Sequence, residues 1–207
     1  MIMGKKFDKK RAADIYFCQR HGAPWESYPY WDGCMDYNAC GLVSLTMAID
    51  ILTGQELTPA DVYKIRAVAG IDQLHMVTKD GKHVCGGDAQ PQFNPVYEKL
   101  FGIRSEPLER STDAFREVLK SGDRVIWASS RNTDFYSNDR SVRNSHTGHV
   151  LCFWDWYADS DSGEERFIAK DPGEGREMCN NVYYTVPQLE KWLAANPWQQ
   201  YAIRAVD

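Results

Sequence analysis

The apolar residues of this chain change their period part-way along it, and that change constrains the fold more than any other feature. In the first half they recur at three and four residues, the spacing of one helix face. Leu42, Leu45, Ile49 and Leu52 make such a stripe, which predicts a helix over about Cys40–Thr53. Asn38 is its expected N-cap and Gly54 the expected residue just past its end. "LTPADVYKIRAVAG" predicts a second helix ending at Gly70: Thr58 caps it, Pro59 fits the first position, and Asp61 sits where a capping box wants an acid. Asn94–Phe101, stopped by Gly102, predicts a third. "STDAFREVLKSG", capped at Ser111 or Thr112 and stopped at Gly122, predicts a fourth. From Asp123 onward aromatic and β-branched runs take over. "DRVIWASS" (Asp123–Ser130), "GHVLCFWDWYA" (Gly148–Ala158), "RFIAKDP" and "YAIRAV" read as strands, "DSDSGEE" as a hairpin turn, and "VPQLEKWLAA" as one short helix. Helices first and mostly antiparallel strands later define an α+β class, not a series of βαβ units.

The 207 residues make a single domain. Residues 1–15, with the basic run "GKKFDKKR", read as a tail. Gly22–Tyr37 reads as an irregular loop with aromatic anchors, and Arg131–Thr147 as a polar loop. With 43% hydrophobic residues the chain can bury a core without a disulfide framework. A net charge of −5 with no basic stripe argues against a nucleic-acid partner. No apolar run is long enough to span a membrane, and the start lacks the apolar segment of a signal peptide. The expected location is the cytoplasm, or a target cell reached as part of a larger exported protein. The six cysteines show no C-x-x-C pair, and no histidine pair has zinc-finger spacing. Free thiols are therefore expected, with no metal and no cofactor.

One cysteine stands apart. Cys40 opens the strongest helix, where unpaired N–H groups and the positive end of the helix dipole favour a thiolate. A cysteine nucleophile needs that form, because the thiolate is what attacks. By itself a cysteine at a helix start is more often a small hydrophobe, so partners decide. Of five histidines (His21, His75, His83, His146 and His149), His149 begins a strong strand, where it is held better than on a loop. Alternation puts it on one face with Leu151 and Phe153. His146 is the spare candidate. Asp171, in "IAKDPGEG", ends the next strand and is the candidate acceptor that orients the imidazole. Gln19, in "FCQRHG", and the Cys40 N–H are candidate oxyanion donors. Trp25, Tyr28, Tyr30 and Trp31 could line a substrate groove or simply anchor their loop. Asp159–Glu165 lacks the ligand spacing of a calcium loop.

The stretch from Cys18 to Gly70 resembles the bacterial C39-like cysteine peptidases, papain-like enzymes related to the bacteriocin-leader peptidases. Their pattern is a Gln, then a Trp and a Pro-Tyr, then Cys-Gly opening an apolar helix with Leu-x-Gly, then Thr-Pro. Further on come a Gly-His opening a strand and an Asp-Pro, here "GHVLCFWDW" and "KDP". The resemblance implies a papain-like fold, with a helical N-terminal part whose nucleophile helix packs on the C-terminal sheet. It implies Cys40 as nucleophile, His149 as general base and acid, Asp171 as orienter and Gln19 as oxyanion donor; of the aromatic set, Trp25, Tyr30 and Trp31 are the candidates for the substrate groove. A protein or peptide substrate follows, with cleavage after small residues such as Gly-Gly, and an effector or toxin role with an inhibitor or immunity partner. One departure is Cys40-Gly41-Leu42 where the family commonly has Cys-Gly-Pro; no catalytic group is lost. Peptidoglycan amidase or transpeptidase chemistry on the same fold, or a catalytically dead binding module, are the alternatives.

Overall fold

The computed structural model describes residues 7–20, 22–30, 33–71, 88–130, 149–173, 179–195 and 198–206. Trp31, His21, His75, His83, His146, Cys85 and the polar loop from Arg131 to Thr147 lie outside the described residues.

In chain order the elements are α1 (Lys9–Asp14), β1 (Pro29–Tyr30), β2 (Gly33–Cys34), α2 (Met35–Asn38), α3 (Cys40–Thr53) and α4 (Pro59–Val68). A 3-10 turn (Pro91–Phe93) leads into α5 (Asn94–Phe101), β3 (Ile103–Leu108), α6 (Thr112–Lys120), β4 (Arg124–Ser130), β5 (His149–Ala158) and β6 (Glu165–Lys170). β7 (Val182–Thr185), α7 (Val186–Ala195) and β8 (Gln200–Ala205) complete the chain. β3 to β8 form one sheet in the order β3-β8-β4-β5-β6-β7, with every neighbour antiparallel. The protein is thus α+β, with helices packed on a six-stranded antiparallel sheet.

Alternation along the strands sends side chains to two separate cores. Val125 and Trp127 of β4, Val150, Cys152 and Trp154 of β5, and Ile203 of β8 face α3. Ile126, Ala128, Leu151, Phe153 and Ala202 face the other way, against Phe115 and Leu119 of α6 and Leu189 and Trp192 of α7. Helix α3 is buried from Cys40 to Leu52, so its apolar stripe is only part of a helix that is enclosed all round. Among the described residues no helix is long and apolar enough to cross a membrane.

Several sequence expectations need correction. Lys9–Asp14 is not part of a tail but a helix, capped by the Asp8 carboxylate, with Ala12 fully buried and Arg11 donating to the Ile51 carbonyl at 2.9 Å. Gly22–Tyr37 is not wholly irregular: Pro29–Tyr30 pairs with Gly33–Cys34, and α2 begins at Met35. Asn38 does not cap α3. It ends α2, its amide donates to the Tyr30 carbonyl at 3.2 Å, and the N-cap is Ala39 with no side-chain bond. The cap is absent because the chain turns from one helix straight into the next. The box at Thr58 and Asp61 and the left-handed Gly54 are as expected.

Asp50 sits inside α3 with 4% exposure, and its Oδ1 accepts the Leu57 N–H at 2.8 Å. Burial raises its pKa from 3.8 to about 6, against the lowering effect of the Leu57 N–H and Arg11. A carboxyl whose folded pKa is raised starts to cost stability as pH rises above its unfolded value, costs the full amount above the folded value, and costs nothing when protonated in both states. Asp50→Asn keeps an acceptor for Leu57. It is expected to raise stability at pH 7 by ~2 kcal/mol, an advantage that shrinks to nothing near pH 4 in denaturant melts.

Candidate active site

The N-terminus of α3 meets the ends of β5 and β6 at one end of the sheet. Cys40 is the first residue of α3, and its first turn has no side-chain cap. Its backbone N–H groups therefore belong to the orphan donors of a helix start. Two buried side chains fix this turn against the sheet. Ser44 Oγ donates to the Val150 carbonyl at 3.1 Å, and Trp127 Nε1 donates to the Gly41 carbonyl at 2.9 Å. Helix α3 is thus tied to the residue that follows His149.

His149 is the first residue of β5, paired across from Ser130. Its Nε2 lies 2.7 Å from Asp171 Oδ1. The Cys40 side chain is the ring's other polar neighbour, near enough to raise its pKa. With Nε2 committed to Asp171, Nδ1 is the nitrogen left for sulfur. Cys40, His149 and Asp171 therefore stand in line, from three elements far apart in sequence. Alternation puts His149 with Leu151 and Phe153, whose face packs under α6 and α7, whereas α3 covers the opposite face. The ring reaches Cys40 because His149 is strand-terminal, where the pleat no longer dictates direction.

Burial pushes the His149 pKa down, but the Asp171 carboxylate and the Cys40 sulfur outweigh it and raise it from 6.5 to about 10. The ring is then an imidazolium at neutral pH. Cys152 is the contrast. It is fully buried on β5, and desolvation pushes its thiol up to about 12 against the pull of Lys170. Cys18, Cys34, Cys40, Cys152 and Cys179 are all unbridged.

Asp171 is held from several sides. Its Oδ1 also accepts the Gly173 N–H at 2.8 Å, its N–H donates to the Cys179 carbonyl at 3.0 Å, and its carbonyl accepts the Tyr16 hydroxyl at 2.8 Å. Burial and the neighbouring Cys179 and Cys18 push Tyr16 far above the usual phenol range, so it stays a donor. Gly173 must be small: a Cβ there would lie 3.1 Å from both Asp171 Oδ1 and His149 Cε1.

Gln19 is buried and comes to the Asp-Pro side of the site, with its N–H on the Pro172 carbonyl at 2.8 Å. Its Nε2 donates to the Asp36 carbonyl at 2.7 Å, leaving one amide hydrogen for an oxyanion. Its Oε1 is buried without a hydrogen-bond partner among the described residues. Such an orphan costs roughly 1–3 kcal/mol and is the kind of strain that collects at functional sites. Arg20 Nε shares the Asp36 carbonyl at 2.9 Å and so fixes the segment.

Of the aromatic residues expected at the substrate, Trp25 and Tyr30 are described, and both are buried. Trp25 is 9% exposed, its Nε1 donates to the Cys18 carbonyl at 2.9 Å, and its ring packs edge-on against Phe17. Tyr30 is buried, with its hydroxyl on Asp88 Oδ1 at 2.8 Å. Both anchor the loop to the core. Asp88, Arg66, Trp127, Tyr16 and Gly173 escaped sequence reasoning. Only Gly173, directly after the Asp-Pro, carried a local sign of close packing.

Among the described residues no group of three or more acidic, histidine or cysteine side chains could hold a metal ion. A cleft of about 480 Å3 between α6 and α7, lined by Arg110, Arg116, Glu190 and Leu193, lies across the sheet from Cys40 and is no part of this site. No protein-family model matches the chain, and no curated protein is significantly similar to it.

Proposed function

We propose that the chain is a papain-like cysteine peptidase that hydrolyses peptide bonds through an acyl-enzyme on Cys40. The observation that carries this reading is the meeting of Cys40, His149 and Asp171, with 2.7 Å between His149 Nε2 and Asp171 Oδ1 and the Cys40 side chain near enough to the ring to raise its pKa. The order of a nucleophile helix followed by an antiparallel sheet supports it too.

The chemistry follows from the groups present. The Cys40 thiolate attacks the peptide carbonyl carbon, and the electron pair moves to oxygen. That oxyanion faces the remaining Gln19 amide hydrogen and the Cys40 N–H at the uncapped helix start. His149 gives its proton to the leaving amine as the C–N bond breaks, leaving a thioester. The now neutral His149 takes a proton from water, which attacks the thioester and releases the acid. Asp171 keeps Nε2 occupied, so Nδ1 always faces sulfur. Resemblance to the C39-like peptidases supplies the rest of the reading: cleavage after small residues such as Gly-Gly, proteins of a rival cell as substrates, and an immunity protein as partner.

The test compares wild type with Cys40→Ala for new protein N-termini in a bacterial lysate, and maps iodoacetamide adducts on the folded protein. Wild type is expected to generate a defined set of N-termini that the variant lacks, with rapid adduct formation at Cys40 and none at Cys152. Equal N-termini from both proteins would sink the reading.

A further inference from the structure

Directly beside the nucleophile, Gly41 is boxed in from two sides. A Cβ built on it would lie 2.2 Å from Asp88 Oδ2 and 3.1 Å from Trp127 Cζ2. The Asp88 carboxylate cannot swing away. Its Oδ1 takes Arg66 Nη1 at 2.5 Å and the Tyr30 hydroxyl at 2.8 Å, and its backbone carbonyl takes the Tyr97 hydroxyl at 2.6 Å. With Oδ1 fixed, the planar group presses Oδ2 against Gly41. On the other side Trp127 holds the Gly41 carbonyl.

Arg66 and Asp88 are among the most buried charges described, at 1% and 4% exposure. A buried ion pair is a poor stabiliser: replacing one with well-packed apolar groups is often neutral or favourable by about 1–4 kcal/mol. What distinguishes this pair is its contact with the residue that follows Cys40. A carboxylate at this spot also suits the positive start of α3, which no side chain caps. The Arg66 charge offsets that of Asp88, so the carboxylate can stand near a thiolate without strong repulsion.

We propose that the Arg66–Asp88 pair is a positioning device for Cys40, which sets the first turn of α3 through its contact with Gly41. The proposal rests on Cys40 being the nucleophile. Asp88 touches no reacting atom. It acts through Gly41, as Trp127 does from the sheet side.

The test reads the rate of Cys40 alkylation by iodoacetamide at pH 7, which needs no substrate, with a thermal melt for every variant. Gly41→Ala in the otherwise unchanged protein is expected to slow alkylation about tenfold or more, because the first turn must move to clear Asp88. Arg66→Met with Asp88→Ala leaves no buried charge unpaired and opens the space. In that background Gly41→Ala is expected to cost less than about threefold, the signature of contacting residues. An equal cost in both backgrounds, or no cost in the unchanged protein, would overturn the proposal. Loss of a cooperative melt in the Arg66→Met/Asp88→Ala background would assign the pair to the fold and overturn it as well. No alkylation of Cys40 in the unsubstituted protein would remove the peptidase reading itself, an outcome distinct from these.

Discussion

Cys40→Ala and His149→Ala are each expected to lower peptide hydrolysis by about 10³-fold or more, and the double variant to be no worse than the worse single one. The Cys40 side chain neighbours the ring, so the two groups are expected to act as one unit. Without His149 the sulfur loses its neighbouring base, and the leaving amine loses its proton donor. Without Cys40 there is no bond to form. Initial rates on a peptide spanning a mapped cleavage site would give the three values. Multiplying costs would mean that the two residues serve separate steps. Alkylation offers a second measure, since His149→Ala is expected to slow adduct formation at Cys40 in neutral buffer while the melt stays cooperative. Cys40→Ala itself removes only a small side chain at the helix start, so its loss of activity is not expected to be a loss of fold.

The helices were legible because their signals are local. Thr58, Pro59 and Asp61 make a capping box from three nearby residues, and Gly54 and Gly102 adopt the left-handed conformation that ends a helix. β5 was legible from its long aromatic and β-branched run. β3 was not, because "IRSEPL" carries charges and Pro107. It becomes a strand at the sheet edge, where it pairs with β8 alone. β7 is four residues long on the opposite edge and offers no period to read. The site divides in the same way. Cys40, His149 and Asp171 announce themselves by residue type and by position at element ends, and the fold brings them into line. Asp88 and Arg66 do not, because a buried ion pair looks in sequence like two surface charges. Trp25 and Tyr30 are less legible. Aromatic residues beside a candidate nucleophile look like a substrate wall, yet both carry polar atoms that find partners outside the loop, on the Cys18 carbonyl and on Asp88. Asn38 was misread because its side chain could cap α3, but the turn from α2 turned it toward Tyr30 instead.

Asp171→Asn is expected to change how stability depends on pH as much as it changes rate. Burial lowers the His149 pKa, and what overcomes burial is chiefly the Asp171 charge and its hydrogen bond, with Cys40 a smaller cause. A histidine whose folded pKa is raised contributes stability that is fully present below its ordinary value of 6.5 and is lost as pH climbs through the folded value, here about 10. Asn can still accept from Nε2 but carries no charge, so burial would then dominate and the ring would favour its neutral form. The unfolding free energy of wild type should therefore exceed that of Asp171→Asn by the most near pH 6, a gap on the order of a few kcal/mol for a buried pair. The gap should close steadily toward pH 10. A gap that stays constant from pH 6 to pH 10 would mean that the Asp171 carboxylate is not what holds the proton on His149. Cys40→Ala over the same range should reduce the wild-type slope only in part. The sulfur contributes to the raised pKa, but Asp171 still sits 2.7 Å from the ring when the sulfur is gone. The ordering of the three curves, with wild type steepest, Cys40→Ala between and Asp171→Asn flattest, thus ranks the two partners of His149 without any substrate.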